Sequence, residues 1–158
     1  MREISFREAL REALREEMRR DSNVYVAGID VGIRPGTFKV STGLAEEFGS
    51  DRFVNTPIAE GIIVGSSVGA ALMGMRPVTE LLFGDLLTAA MEAMVTVASR
   101  ASYGSDGEAK VPMVLRAPFS ISGTYMSNFE AWFVHVPGIK VVMPSTPKDA
   151  KGMLIAAI

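Results

Sequence analysis

Residues 53–83 read FVNTPIAEGIIVGSSVGAALMGMRPVTELLF, and this run decides the fold. Phe53 to Asn55 has the composition of a short strand, Pro57 breaks it, and Gly61 to Gly74 contains no charged side chain. Val78 to Phe83 is strand-like again. Strand, apolar helix and strand in succession are one unit of an α/β domain. Glu60 stands at the junction, a lone carboxylate between the strand and a glycine-spaced apolar helix. Two readings of it are open: a helix N-terminal Glu satisfying free backbone amides, and a carboxyl poised to exchange a proton with a ligand.

The same alternation extends in both directions. Ser5-Phe6-Arg7-Glu8 has capping-box form, and Phe6, Leu10, Ala13, Leu14 and Met18 share one face, so a first helix runs to about Arg20. Val24 to Ile29 reads as a buried strand and Thr42 to Phe48 as a helix. Downstream, a long helix from Asp85 to Ser99 precedes a strand from Met113 to Arg116. A loop over Pro118 to Ser127 follows, then a short helix from Phe129 to Phe133. Ile139 to Met143 reads as a further strand. Thr146-Pro147-Lys148-Asp149 opens the last helix with a cap residue, proline in the first turn and an acid. Helices alternating with strands imply a three-layer α/β domain, a mostly parallel sheet with helices on both faces.

Composition bounds the function. At 158 residues, 48% hydrophobic and 22% charged, the chain fits one domain over residues 1–158 with a sizeable core. A net charge of −2 with mixed signs leaves no footprint for nucleic acid. The absence of cysteine excludes disulfides and thiol nucleophiles and suggests the cytoplasm by default, while a single histidine rules out a histidine-rich metal site. The first twenty residues are too charged for a secretory signal, and no apolar run of membrane-spanning length is present, so no membrane role is expected.

The run from Thr56 to Met94, with Asp30 to Gly32, Lys39 to Gly49 and His135 to Leu154, resembles the pyrimidine-binding domain of thiamine diphosphate enzymes. It is most similar to beta subunits of the 2-oxo acid dehydrogenase decarboxylase component. The likeness is colinear over nearly the whole chain. It implies that Glu60 hydrogen-bonds the N1′ atom of the cofactor's aminopyrimidine and favours its imino tautomer, so that the thiazolium C2 can lose its proton. Proton exchange of this kind is worth about two to four orders of magnitude in rate. It further implies that Leu82 and Leu86 line the pyrimidine pocket. Tyr125 lies where the family has a His-Ser-Gln signature, and the resemblance implies that it takes the histidine's place as a hydrogen-bonding contact to the cofactor.

The resemblance also marks departures. Leu86 replaces a usual stacking phenylalanine, Ile29 replaces an acidic residue, and the loop after Arg116 is shorter than usual. No Walker loop, dinucleotide GxGxxG or Gly-Asp-Gly diphosphate motif is present, so Mg²⁺ and the diphosphate are expected on an alpha-type partner subunit. The expected function is the pyrimidine half of a site that decarboxylates a 2-oxo acid and transfers acyl to lipoyl. Assembly would be a homo- or hetero-oligomer, and the chain alone would be inactive. The family's usual C-terminal domain is expected to be absent: Ile158 falls inside a helix without a stop signal, whereas the resembled beta subunits continue into a second α/β domain, so an excised domain, a half-gene and a redesigned minimal version are all open. The alternative is a catalytically silent, self-associating single-domain scaffold derived from that family. Gly61, Gly65 and Gly69 make one helix face nearly bare backbone, suited either to tight packing on the domain's own sheet or to a subunit interface. His135, Trp132 and Phe133 read as structural, and Ser105 to Glu108 as a solvated loop.

Overall fold

A computed structural model describes residues 2–33, 36–119 and 127–158. Helix α1 (Phe6–Arg20) begins at the expected capping box: the Ser5 side chain accepts from the Glu8 amide, and the Glu8 carboxylate accepts from the Ser5 amide at 2.8 Å. Strand β1 (Val24–Gly28), helix α2 (Leu44–Phe48), strand β2 (Phe53–Asn55) and helix α3 (Glu60–Leu72) follow in the anticipated order. Gly74 then leaves α3 at φ 93°, a backbone region that only glycine enters readily. Strand β3 (Arg76–Glu80), helix α4 (Ala101–Gly104), strand β4 (Val114–Arg116) and helices α5 (Glu130–Val134) and α6 (Pro147–Ala157) complete the described strands and α-helices.

The four strands pair in the order β2-β1-β3-β4, all parallel. One apolar cluster joins α1, α2 and α6 to one face of the sheet through Leu14, Met18, Val24, Phe53, Val78 and Leu154. A second joins α3 to the other face through Ile63, Val64, Val68, Leu81, Leu87 and Phe133. The three-layer α/β arrangement is therefore the one expected. A buried Thr79 hydroxyl donates to Ser67 Oγ at 2.7 Å, and Ser67 Oγ donates to the Ile63 carbonyl at 2.9 Å, so β3 and α3 are tied by polar as well as apolar contact.

Three expectations are corrected. Strand β3 ends at Glu80 rather than Phe83 and begins at Arg76, ahead of Pro77. Pro77 is tolerated because the Arg76 amide donates to the Asn23 carbonyl on the β1 side, which turns Pro77 toward β4 one residue before β4 begins to pair. The helix expected from Asp85 to Ser99 is wound as a 3₁₀ segment over Gly84–Ala90 and a π segment over Glu92–Ala98. Its buried residues Gly84, Leu87 and Ala90 recur every third position, the period of a 3₁₀ turn. The β-branched run Val95-Thr96-Val97 disfavours regular α winding further on. Finally, Ile139 to Met143 pairs with no strand among the described residues: Ile139 and Val141 pack on the second cluster, while Val142 and Met143 are exposed. A β-branched alternation places side chains but does not create a partner edge.

Candidate functional site

Because the sheet is parallel, all its strands end at one edge. Gly28 pairs with Asn55 on one side and Glu80 on the other, and Glu80 pairs with Arg116, so a single row of residues crosses that edge. The loops that leave it are where an open parallel sheet places ligands. Gly28 is required in the row: a Cβ there would stand 2.6 Å from the Glu80 carbonyl oxygen.

Glu60 is the first residue of α3 and only 9% exposed. Its Oε1 is buried and has no hydrogen-bond partner among the described residues. No side-chain bond caps the helix at Ala59, so the simple capping account leaves this oxygen unexplained. A buried carboxyl oxygen without a partner is costly, and its persistence asks for a ligand or a function. Gly61 lets this end of α3 approach the neighbouring 3₁₀ segment, since a Cβ there would lie 3.1 Å from the Ala89 carbonyl oxygen.

Leu82 and Leu86, the expected wall, flank the strand-to-helix junction and are both half-buried. Leu86 and Ile29 each pack against the second apolar cluster. The junction is fixed from two sides: the Gly84 amide donates to the Pro118 carbonyl at 2.9 Å, and the Ser127 amide donates to Asp85 Oδ2 at 3.2 Å. Phe119 also lies over Gly84, where a Cβ would meet its ring at 2.6 Å. Tyr125 lies outside the described residues. The two ends of its loop, Pro118 and Ser127, are nonetheless both pinned beside Leu82 and Leu86.

Sequence reasoning missed other polar groups. Glu130, first residue of α5, has a buried Oε2 without a partner among the described residues, as do Thr56 Oγ1 and Ser41 Oγ. Glu80 and Arg116 form an ion pair of 2.6 Å with both side chains largely buried. The acid before Trp132-Phe133 and the acid and base ending successive strands were the available signals. Asn55 Oδ1 accepts from the Gly32 amide at 2.9 Å and so ties the end of β2 to the loop after β1. Among the described residues no group of three or more acids and histidines is placed to hold a metal.

The glycine face of α3 points away from the sheet. Ile63, Val64, Ser67, Val68 and Ala71 are buried, whereas a Cβ at Gly65 or Gly69 would meet nothing within 4 Å. The apolar side chains nearby are bare: Ile58 is 76% exposed, Ile62 70% and Met73 85%. Packing on the domain's own sheet therefore does not account for Gly65 and Gly69. His135 is exposed at the end of α5, Phe133 is core, and the exposed Trp132 stacks edge-on against Phe129 at 4.7 Å. No helix among the described residues is long and apolar enough to cross a membrane.

These features describe a three-layer α/β domain in which the carboxyl of Glu60, buried and unpartnered among the described residues, stands beside an exposed apolar helix face. The chain belongs to the transketolase pyrimidine-binding domain family, whose model matches residues 2–158. It is 43% identical over 162 aligned positions to the 2-oxoisovalerate dehydrogenase subunit beta of Bacillus subtilis (strain 168), covering 100% of this chain and 50% of that protein. It is 41% identical to the pyruvate dehydrogenase E1 component subunit beta of Rhizobium meliloti (strain 1021), covering 100% of this chain and 35% of that protein. The corresponding subunit of Acholeplasma laidlawii is also 41% identical, covering 98% of this chain and 49% of that protein. The chain thus spans half or less of the length of these relatives.

Proposed function

We propose that this domain supplies the pyrimidine-side half of a thiamine diphosphate site in a 2-oxo acid dehydrogenase, completed by an alpha-type subunit. The observation that carries the reading is Glu60 Oε1, buried and unpartnered at the ligand edge of the sheet. A weakly basic ring nitrogen fits that vacancy in the hydrogen-bond ledger, because a carboxyl can both donate a proton to it and take the proton back. When bound, the cofactor supplies the carbanion chemistry that releases CO₂ from a 2-oxo acid and passes the acyl unit to a lipoyl carrier. The chain's own part is narrower. Glu60 holds and moves a proton at N1′; Leu82 and Leu86 exclude water from the ring; Tyr125 is a further proposed contact. Mg²⁺ and the diphosphate belong to the partner.

The exposed face of α3, with Ile58, Ile62 and open glycines, supports a partner seated directly beside Glu60. The test is titration with thiamine diphosphate and Mg²⁺, with and without an alpha-type subunit. Binding is expected only in the mixture, and Glu60→Gln should abolish C2 proton exchange without preventing assembly. Unchanged exchange would remove Glu60 from the mechanism. A second reading, a silent self-associating scaffold, draws on Ile29 and Leu86, both used as packing against the second cluster. Light scattering showing a stable homo-oligomer that binds no cofactor even with the partner would favour it.

A further inference from the structure

A cleft of about 560 Å³, not lined by Glu60, opens between the start of α1, the 37–40 loop and the ends of β3 and β4. Its walls are mostly apolar, formed by Phe6, Leu10, Phe38 and Val40. The loop wall is held in place. The Arg11 guanidinium donates to the carbonyls of Val40 at 3.1 Å and Lys39 at 2.5 Å, and the Thr42 hydroxyl donates to the Lys39 carbonyl at 2.9 Å. These bonds keep Lys39 in the left-handed region at φ 58°. The Phe38 ring meets Phe83 edge-on at 6.0 Å.

The charge of the cleft is one-sided. Arg7, Lys39 and Arg116 line it, against the single carboxylate of Glu80. Arg116 is neutralised by that carboxylate at 2.6 Å, which leaves Arg7 and Lys39 without an ion pair among the described residues. The nearby Glu8 carboxylate is committed to the Ser5 cap, accepting from both its amide and its hydroxyl. An excess of two cations in a chain of net charge −2 is a local inversion of sign. Both cations are exposed, so their attraction for an anion is screened by salt and the apolar walls must supply much of the binding. The volume is also within the range of small-molecule sites, about 300–1,000 Å³.

We propose that this cleft binds a small organic monoanion, a carboxylate on a medium-length aliphatic body. The hydrocarbon lies along Phe6, Leu10 and Phe38, and the carboxylate sits between Arg7 and Lys39. The site shares no residue with Glu60, Leu82 or Leu86, so its failure leaves the proposed cofactor role untouched.

Sodium octanoate titrated into the isotope-labelled full chain, followed by amide chemical shifts, tests it. Saturable shifts should appear over residues 6–10 and 37–40, with a dissociation constant below about 1 mM. Octylammonium, with the same tail and opposite charge, should produce none there. Arg7→Gln with Lys39→Gln should weaken octanoate binding about tenfold while the remaining spectrum is unchanged. If the double variant does not fold, Arg7→Gln alone with a salt series serves, the affinity falling as salt rises. Equal binding of octylammonium, shifts confined to the face bearing Ile58, Ile62 and Met73, or no saturation would each overturn the proposal.

Discussion

Replacing Glu60 with Met should make the isolated chain more stable while removing the proton-exchanging role proposed for it. Two opposing quantities decide the sign. A buried carboxyl oxygen without a partner costs about 1–3 kcal/mol, and Oε1 of Glu60 is in that condition. A carboxylate in the first turn of a helix returns about 0.3–1 kcal/mol through the helix dipole, and Glu60 occupies the first position of α3. Met has similar volume and needs no hydrogen bond, so the difference lies between about 0 and 3 kcal/mol in favour of the variant, about 1 kcal/mol at the middle of both ranges. In a chain of 158 residues each kcal/mol raises the thermal midpoint by about 2–4 °C. Urea unfolding followed by circular dichroism should show a higher midpoint with unchanged slope. If Glu60 were instead a helix cap, its loss would lower stability by about 1 kcal/mol. A destabilised Glu60→Met chain would therefore refute the idea that this carboxyl is held for a ligand.

Three other perturbations follow from the geometry. Arg116→Met leaves the buried Glu80 carboxylate unpaired and should cost about 3–5 kcal/mol in urea unfolding, with Glu80→Met added in the same chain recovering most of it. Hydrogen bonds from Lys151 and Arg2 hold the Glu12 carboxyl below the ordinary glutamate value of 4.5, and at Glu47 those from Arg15 and Arg19 outweigh an opposing desolvation. Both acids bind protons more weakly folded than unfolded, so their stabilisation is complete above that value and is lost as pH falls through the lowered ones. The urea midpoint should decline from about pH 5 downward, and less steeply in Glu47→Gln. Ile62→Glu, at a side chain 70% exposed, should leave chain stability within about 0.5 kcal/mol yet prevent co-elution with an alpha-type subunit in size-exclusion light scattering.

The elements readable in the sequence were those whose signals are local. Ser5 and Glu8 announced α1 by chemistry confined to one turn, and Thr146-Pro147 announced α6 in the same way. Glu60 was visible because a charge at the head of an uncharged helix has few ordinary uses. What sequence alone did not yield depends on neighbours distant along the chain. The end of β3 is set by pairing with β1 and β4, and the 3₁₀ and π winding after Gly84 by how that segment meets α3. Ile139 to Met143 has strand composition but no edge to join. The Glu80 and Arg116 pair lies 36 positions apart in sequence, and only the parallel register brings the two together.

The loop after Arg116 is suspended from two fixed points on the same junction, Pro118 on Gly84 and Ser127 on Asp85. Such a mounting behaves like an interchangeable cassette. The entropic penalty of lengthening a closed span grows only with the logarithm of its length, so a few added residues cost well under about 1 kcal/mol. Grafting a longer stretch between these anchors should leave the sheet undisturbed. This makes the position a natural place for insertions to accumulate, and for an engineer to add residues, without refolding the sheet.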